Sequence, residues 1–319
     1  MSKWVRIALA VALLAVVVAV ADWRAILDVL RHADLTWTMA ALTMALADRF
    51  VLTLRWQILL AARGMPIGFW RTLRVQFAAN VIGSFFPSSV GVDTLRIAAL
   101  CRGGEDPAKV IAATLVDRVT IIVATLLLGS VTTLVLAQSR IPNSVTQFVF
   151  ATTAVAVIGC AACLHPAVQR WVRSTLLPRA PKRLQGTVAN AAGAILAYRR
   201  DWGVQIWVGV TTVATLFIRI LFAKAVALAC GVDLSFANLL LVIPILWIIM
   251  MLPITVGGIG VQEVSYIGLM SLFGVDPAVA VSMSLIEHFV VHASTLPGVL
   301  FIGDLTRKGQ ASSAAASAE

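Results

Sequence analysis

Charge is scarce in this sequence: Asp, Glu, Lys and Arg make up 13% of 319 residues, while 60% are hydrophobic. With a mean hydropathy of +0.94, so few charges cannot solvate a water-soluble globule of this size, which excludes the soluble domain classes. Cysteine is scarce too. Four scattered cysteines do not make a disulfide framework. Cys160 and Cys163 have redox-motif spacing, but they lie in an apolar run with no basic neighbour to hold a thiolate, so they read as small packing residues. The four histidines lack ligand company: His288 and His292 share a helix face, yet no cysteine set or His-Glu-x-x-His pattern accompanies them. The cluster Gly257-Gly258-Ile259-Gly260 has no following Lys-Ser/Thr and no preceding strand, which excludes a nucleotide-binding P-loop. No metal, cofactor or catalytic residue is therefore expected.

Long apolar runs, by contrast, abound. Stretches near the ~20 residues needed to cross hydrocarbon occupy 4–21, 35–61, 110–137, 145–164, 202–229 and 278–302. Two more, 75–100 and 237–273, are apolar but interrupted. The expected fold class is an all-α polytopic membrane protein: these six runs as full transmembrane helices, plus two broken or re-entrant segments.

The net charge of +10 does not indicate nucleic acid, because the basic residues gather in particular loops. Lys3 and Arg6 precede the first run; Arg63, Arg71 and Arg74 follow the second; Arg170, Arg173, Arg179, Lys182, Arg183, Arg199 and Arg200 lie between the fourth and fifth; Arg307 and Lys308 follow the last. The positive-inside rule makes these loops, and both termini, cytoplasmic. Binding of anionic lipid head groups is the sharper reading of the same belt. The start of the chain, with Ala19-Val20-Ala21 after an apolar run, also resembles a secretory signal, but retention of the first helix is the expectation. Residues 22–34 read as a short amphipathic helix on the outer surface and 166–200 as a basic amphipathic segment on the cytoplasmic interface. The low-complexity tail 306–319 reads as disordered.

The pentad Pro-x-x-Val-Gly occurs twice, at Pro87–Gly91 and Pro253–Gly257. Each copy follows an arginine-bearing span (Arg49; Arg219), is succeeded by an acid (Asp93; Glu263), and precedes a span with a charged pair (Asp117-Arg118; Glu287-His288). Three complete crossings separate the copies, so the units, about 35–137 and 202–302, should be inverted repeats in one membrane domain spanning 1–305. Broken helices near the midplane of such repeats are where secondary transporters bind substrate.

Charged side chains in or beside apolar segments cost roughly 2.5–3.5 kcal/mol each at a helix centre, so they must pair, snorkel or face water. Arg55 and Lys224 are expected to snorkel, and Asp48/Arg49 and Asp117/Arg118 to form salt bridges. Asp93 and Arg96 stand apart: they open a helix just after the first break, where free N–H groups, Ser88, Ser89 and a guanidinium fork suit phosphate. Thr255 occupies the matching place at the second break.

The runs NVIGSFFPSSVGVDTLRIAAL, VDRV and LPITVGGIGVQE resemble the flippase-like family, the transmembrane region of the lysylphosphatidylglycerol synthase/flippase superfamily. The match falls on Asn80, Pro87, Gly91, Asp93, Arg96, Asp117, Arg118, Pro253, Gly257, Gly258, Gly260 and Glu263; Val92 departs from it, standing where a second glycine is common. The resemblance implies movement of lipids with polar head groups between leaflets of the bacterial inner membrane, relatives being linked to phospholipids, aminoacylated lipids, hopanoids and polyprenyl-linked lipids. Without the soluble aminoacyl-transferase domain of bifunctional members, lysine transfer is not expected. Arg49, Asn80, Ser88, Ser89, Asp93, Arg96, Arg118, Arg219 and Thr255 are the expected head-group residues. Asp117, Glu263 and Glu287 are expected to relay charge or gate. Pro87, Gly91, Pro253, Gly257, Gly258 and Gly260 are the expected backbone breaks. A homo-oligomer or a biosynthetic-enzyme partner fits the same reading. A lipid-modifying enzyme or an accessory subunit of glycan synthesis is the alternative function.

Overall fold

The computed structural model describes residues 23–83, 90–136, 142–164, 170, 174, 182–198, 201–251 and 260–305, and no strand occurs among them. In chain order the helices are α1 (Trp23–Arg31), α2 (Leu35–Ala61), α3 (Phe69–Gly83), α4 (Val90–Arg102), α5 (Pro107–Leu136), α6 (Asn143–Leu164), α7 (Lys182–Ala197), α8 (Trp202–Ala229), α9 (Phe236–Met251), α10 (Val261–Met270) and α11 (Pro277–Ala293), followed by a 3-10 segment, Leu296–Leu305. The expected first span, residues 166–169, 171–173, 175–181 and 199–200 of the basic segment, and the tail 306–319 lie outside the described residues.

Aspartates set where the long helices begin. Asp34 accepts from Thr36 N at 2.7 Å and Asp106 from Ala108 N at 2.8 Å. Asp201 accepts from Val204 N at 3.2 Å and Asp276 from Ala278 N at 2.8 Å. Each carboxylate satisfies an orphan N–H of a first turn, which lipid cannot do. Four of the helices, α2, α5, α6 and α8, are long and apolar enough to cross a membrane; the chain is multi-pass.

The expected sixth span is not one straight helix. α11 and the 3-10 segment meet at 43°, where Pro297 cannot donate a backbone hydrogen bond. At the bend the Ser294 and Thr295 hydroxyls donate to the carbonyls of Val291 and His292 at 2.6 and 2.7 Å. Beyond it the 3-10 segment lies on the backbone of α3: a Cβ added at Gly298 would stand 2.2 Å from the Phe77 carbonyl oxygen. Only glycine permits that approach.

Both interrupted stretches are pairs of short helices, α3 with α4 and α9 with α10. Pro87, Ser88 and Ser89 in the first connection, and Pro253, Thr255, Gly257 and Gly258 in the second, lie outside the described residues. Gly91, expected at a break, is instead in the first turn of α4. Val92 packs against Gly83, where a Cβ would meet Val92 Cγ2 at 2.3 Å. The bulk that departs from the family pattern thus has a glycine opposite it.

α2 and α8 form the most extensive helix pair among the described elements. They run antiparallel: Asp34 N at the start of α2 donates to Ala229 O at the end of α8, and Tyr198, just before α8, donates its hydroxyl to Leu59 O near the end of α2 at 2.6 Å. Taking α2–α5 and α8–α11 with its 3-10 segment as two series, the packing is reciprocal. α9 packs on α5 as α3 packs on the 3-10 segment; α2 meets α5 as α8 meets α11; α2 also meets α11 as α8 meets α5. α1 covers the outside of α11, burying Ile26 against Ala278 and Val281.

Candidate functional site

The charged residues of four helices converge on one cavity of about 650 Å³, walled otherwise by side chains such as Leu52, Ile97, Ile111, Ile121, Phe222 and Trp247. α2 contributes Asp48, Arg49 and Arg55, α4 Asp93 and Arg96, α5 Asp117 and Arg118, and α8 Arg219, with Gln76 and Asn80 from α3 beside them. Asp48 and Arg55 are seven residues apart, two turns on one face, so their charges are stacked about 10 Å along the axis of α2.

The ion pairs fall into two groups. In the first, Arg55, wholly buried, donates from Nε to Asp117 at 2.7 Å and from Nη1 to Thr212 Oγ1 at 3.4 Å. Asp117 also faces Arg96 at 3.7 Å. Arg96 in turn holds Asp93, donates from Nη1 to Gln76 Oε1 at 2.8 Å and lies 4.6 Å from the ring centroid of Trp56. Asp93 is shared with Arg118. In the second group Arg219 pairs with Asp48 at 3.2 Å and lies 4.0 Å from the ring centroid of Trp247. Arg49 joins no ion pair among the described residues, and its Nε is buried without an acceptor. Among the described residues, five arginines against three aspartates leave two positive charges in an apolar enclosure, where like charge is held only if something negative enters.

A separate acid cluster sits between α10 and α11. Gly260, at φ 84, opens α10, and its N–H donates to Glu263 Oε2 at 2.6 Å. The other Glu263 oxygen accepts from Ser284 at 3.2 Å and lies 3.3 Å from His288 Nδ1. Glu287 accepts from the Tyr266 hydroxyl, and the His288 and His292 rings stack with centroids 6.2 Å apart. Among the described residues no group of three or more His, Cys, Asp or Glu forms a metal site.

Residues 3–298 match the family described as the lysylphosphatidylglycerol synthase TM region. The chain belongs to that family. It is accordingly membrane-embedded and lipid-related. No curated protein and no solved structure matches it.

Within this lysylphosphatidylglycerol synthase TM region, the structure brings Arg49, Asn80, Asp93, Arg96, Asp117, Arg118 and Arg219 to one cavity. Glu263 and Glu287 are not among the residues that line it, and neither pairs with an arginine among the described residues. Ser88, Ser89 and Thr255 lie outside the described residues. Three expectations are corrected. Arg55 does not snorkel; it is the most buried member of the network. Asp48 and Arg49 do not pair, and neither do Asp117 and Arg118, because consecutive helical residues point about 100° apart; each aspartate reaches across to another helix instead. Lys224, by contrast, does extend outward, to Asp233 and the Leu234 carbonyl. Asp48, Arg55, Gln76 and Trp56 were missed as site residues. The seven-residue spacing of Asp48 and Arg55 was the available signal for the first two.

Proposed function

We propose that this protein is a non-enzymatic flippase that moves a lipid with an anionic, phosphate-bearing head group between leaflets of the bacterial inner membrane, with both termini cytoplasmic. One observation carries the reading: an apolar-walled cavity, inside a membrane protein of a lipid-related family, is lined among the described residues by two more arginines than carboxylates. Its volume of about 650 Å³ falls in the ~300–1,000 Å³ range of ligand sites. Arginine forks suit a phosphate bidentately, while acyl chains remain among the apolar helices. Antiparallel α2 and α8 and the reciprocal packing around them support two inverted repeats that rock about that seam in alternating access.

The test is leaflet exchange in proteoliposomes carrying fluorescent phosphatidylglycerol, read by chemical quenching of the outer leaflet. Arg96→Ala and Asp117→Asn should each slow exchange by tenfold or more; two variants that both exchange like wild type would sink the reading. The word synthase in the family description favours a second reading, lipid synthesis. Mass spectrometry of membranes lacking the protein separates the two: a missing species means synthesis, whereas a species made but confined to one leaflet means transport.

A further inference from the structure

Among the carboxylates buried or half-buried within the helix bundle, Asp48, Asp93 and Asp117 each meet an arginine within 4.0 Å and Glu263 meets His288. Glu287 has no cation at that range among the described residues; its recorded contact is the Tyr266 hydroxyl on one oxygen. Arg49 is the converse case, a cavity-lining cation with no carboxylate within ion-pair range among the described residues and a buried, unmet Nε. The two stand on helices that pack together, α2 and α11.

Arginine cannot shed its proton, whereas a carboxyl group can hold one. A carboxylate half-buried between helices without a cation is stabilised by taking up a proton or by reaching a cation, and Glu287 is such a group. The other groups around it leave few choices. α10 presents Tyr266 and Glu263, with Cys230 beyond the phenol, and α11 itself carries His288 and His292. From α8 Arg219 lies within electrostatic reach of Glu287, and from α2 Arg49 lies within reach of His292. Asp48 is engaged by Arg219. α1 meets α11 through Ile26, and its Arg24, Asp28, Arg31 and His32 are exposed.

We propose that Glu287 carries a proton in step with the lipid: protonated while an anionic head group occupies Arg49 and Arg219, and ionised and turned toward those arginines once the head group has left. The head group and the Glu287 carboxylate then compete for the same cations, and one proton travels with each lipid. It is taken from water on the loading side and returned to water on the release side, and no bond other than O–H forms or breaks. This rests on the head-group reading above and adds a coupling ion to it.

The experiment uses the purified full chain in micelles, titrated with dioctanoyl phosphatidylglycerol or undecaprenyl phosphate in weak buffer with a pH-sensitive dye. Wild type should take up about one proton per lipid bound, and its Kd should rise about tenfold per pH unit where the free carboxyl is ionised. Glu287→Gln should bind lipid with no uptake and with a Kd flat in pH; His292→Gln should keep the uptake. If Glu287→Gln does not fold, infrared difference spectra of wild type decide, since lipid addition should raise the protonated-carboxyl band. Binding without uptake, uptake lost in His292→Gln but kept in Glu287→Gln, or no rise of that band overturns the proposal and leaves the head-group site standing. Binding of neither lipid overturns both.

Discussion

Replacing Asp117 by Asn tests the arginine network most directly. The carboxylate is 5% exposed and stands between Arg55, at 0% exposure, and Arg96, at 3%, accepting from Arg55 Nε at 2.7 Å and facing Arg96 at 3.7 Å. The amide keeps the shape and one acceptor oxygen but removes the charge, leaving the Arg55 guanidinium buried beside another guanidinium without its counter-ion and with Thr212 Oγ1 accepting at 3.4 Å. Breaking a buried pair by removing one partner costs about 3–5 kcal/mol. Replacing both partners with apolar residues of similar volume is often neutral, so Arg55→Met with Asp117→Leu should regain most of the loss. The Lys224–Asp233 pair provides the contrast, since the Asp233 side chain is 83% exposed and such a pair is worth about 0–1 kcal/mol. Thermal unfolding in micelles can be followed with a thiol-reactive dye, because Cys101 and Cys230 are half-buried thiols outside any disulfide. Asp117→Asn should unfold well below wild type and Asp233→Ala close to it. Equal midpoints for Asp117→Asn and wild type, or a double variant no better than Asp117→Asn, would refute the reasoning.

Two further outcomes follow from the packing. Gly298→Ala places a methyl group 2.2 Å from the Phe77 carbonyl oxygen, against backbone that cannot yield cheaply. The 3-10 segment should detach from α3, which protease accessibility of residues 296–305 would register. Tyr198→Phe removes a buried hydroxyl that donates to Leu59 O at 2.6 Å and should cost about 1–2 kcal/mol. Burial pushes the Tyr198 phenol up to about 12, above the ~10 of an exposed tyrosine. The difference between wild type and variant should therefore be constant below pH 10 and vanish as pH rises through about 12, as chemical denaturation across that range would show.

The helices were legible because length and apolarity are local properties; Asp34, Asp201, Asp276 and Pro277, which sit where helices begin, are local signals that the reading by apolar runs left unused. Arginines 49, 96, 118 and 219 were legible as a set because a charge in an apolar run needs a reason wherever it lies. Their partners were not. Whether Asp117 meets Arg118 or Arg55 depends on which helices are neighbours, and adjacency in sequence misleads when successive side chains diverge around the axis. Arg55, six residues from the end of α2, resembled a side chain able to reach water; the packing of α5 and α8 over it removes that exit. The bend at Leu296 was hidden because Leu, Val, Phe and Ile keep the run apolar straight through the proline. Glu263 and Glu287 were grouped with the arginines by repeat logic, yet α10 and α11 bring them to each other and to histidines.

The antiparallel seam of α2 and α8 has an electrical consequence. Their macrodipoles oppose one another, so this longest contact presents little net moment to a transmembrane voltage. A voltage can then act chiefly on ionised side chains, at about 2.3 kcal/mol per elementary charge per 100 mV for a full crossing. Any voltage sensitivity of this protein should follow the occupancy and protonation of its cavity, and substitutions that alter the charge there should change it while substitutions along the seam should not.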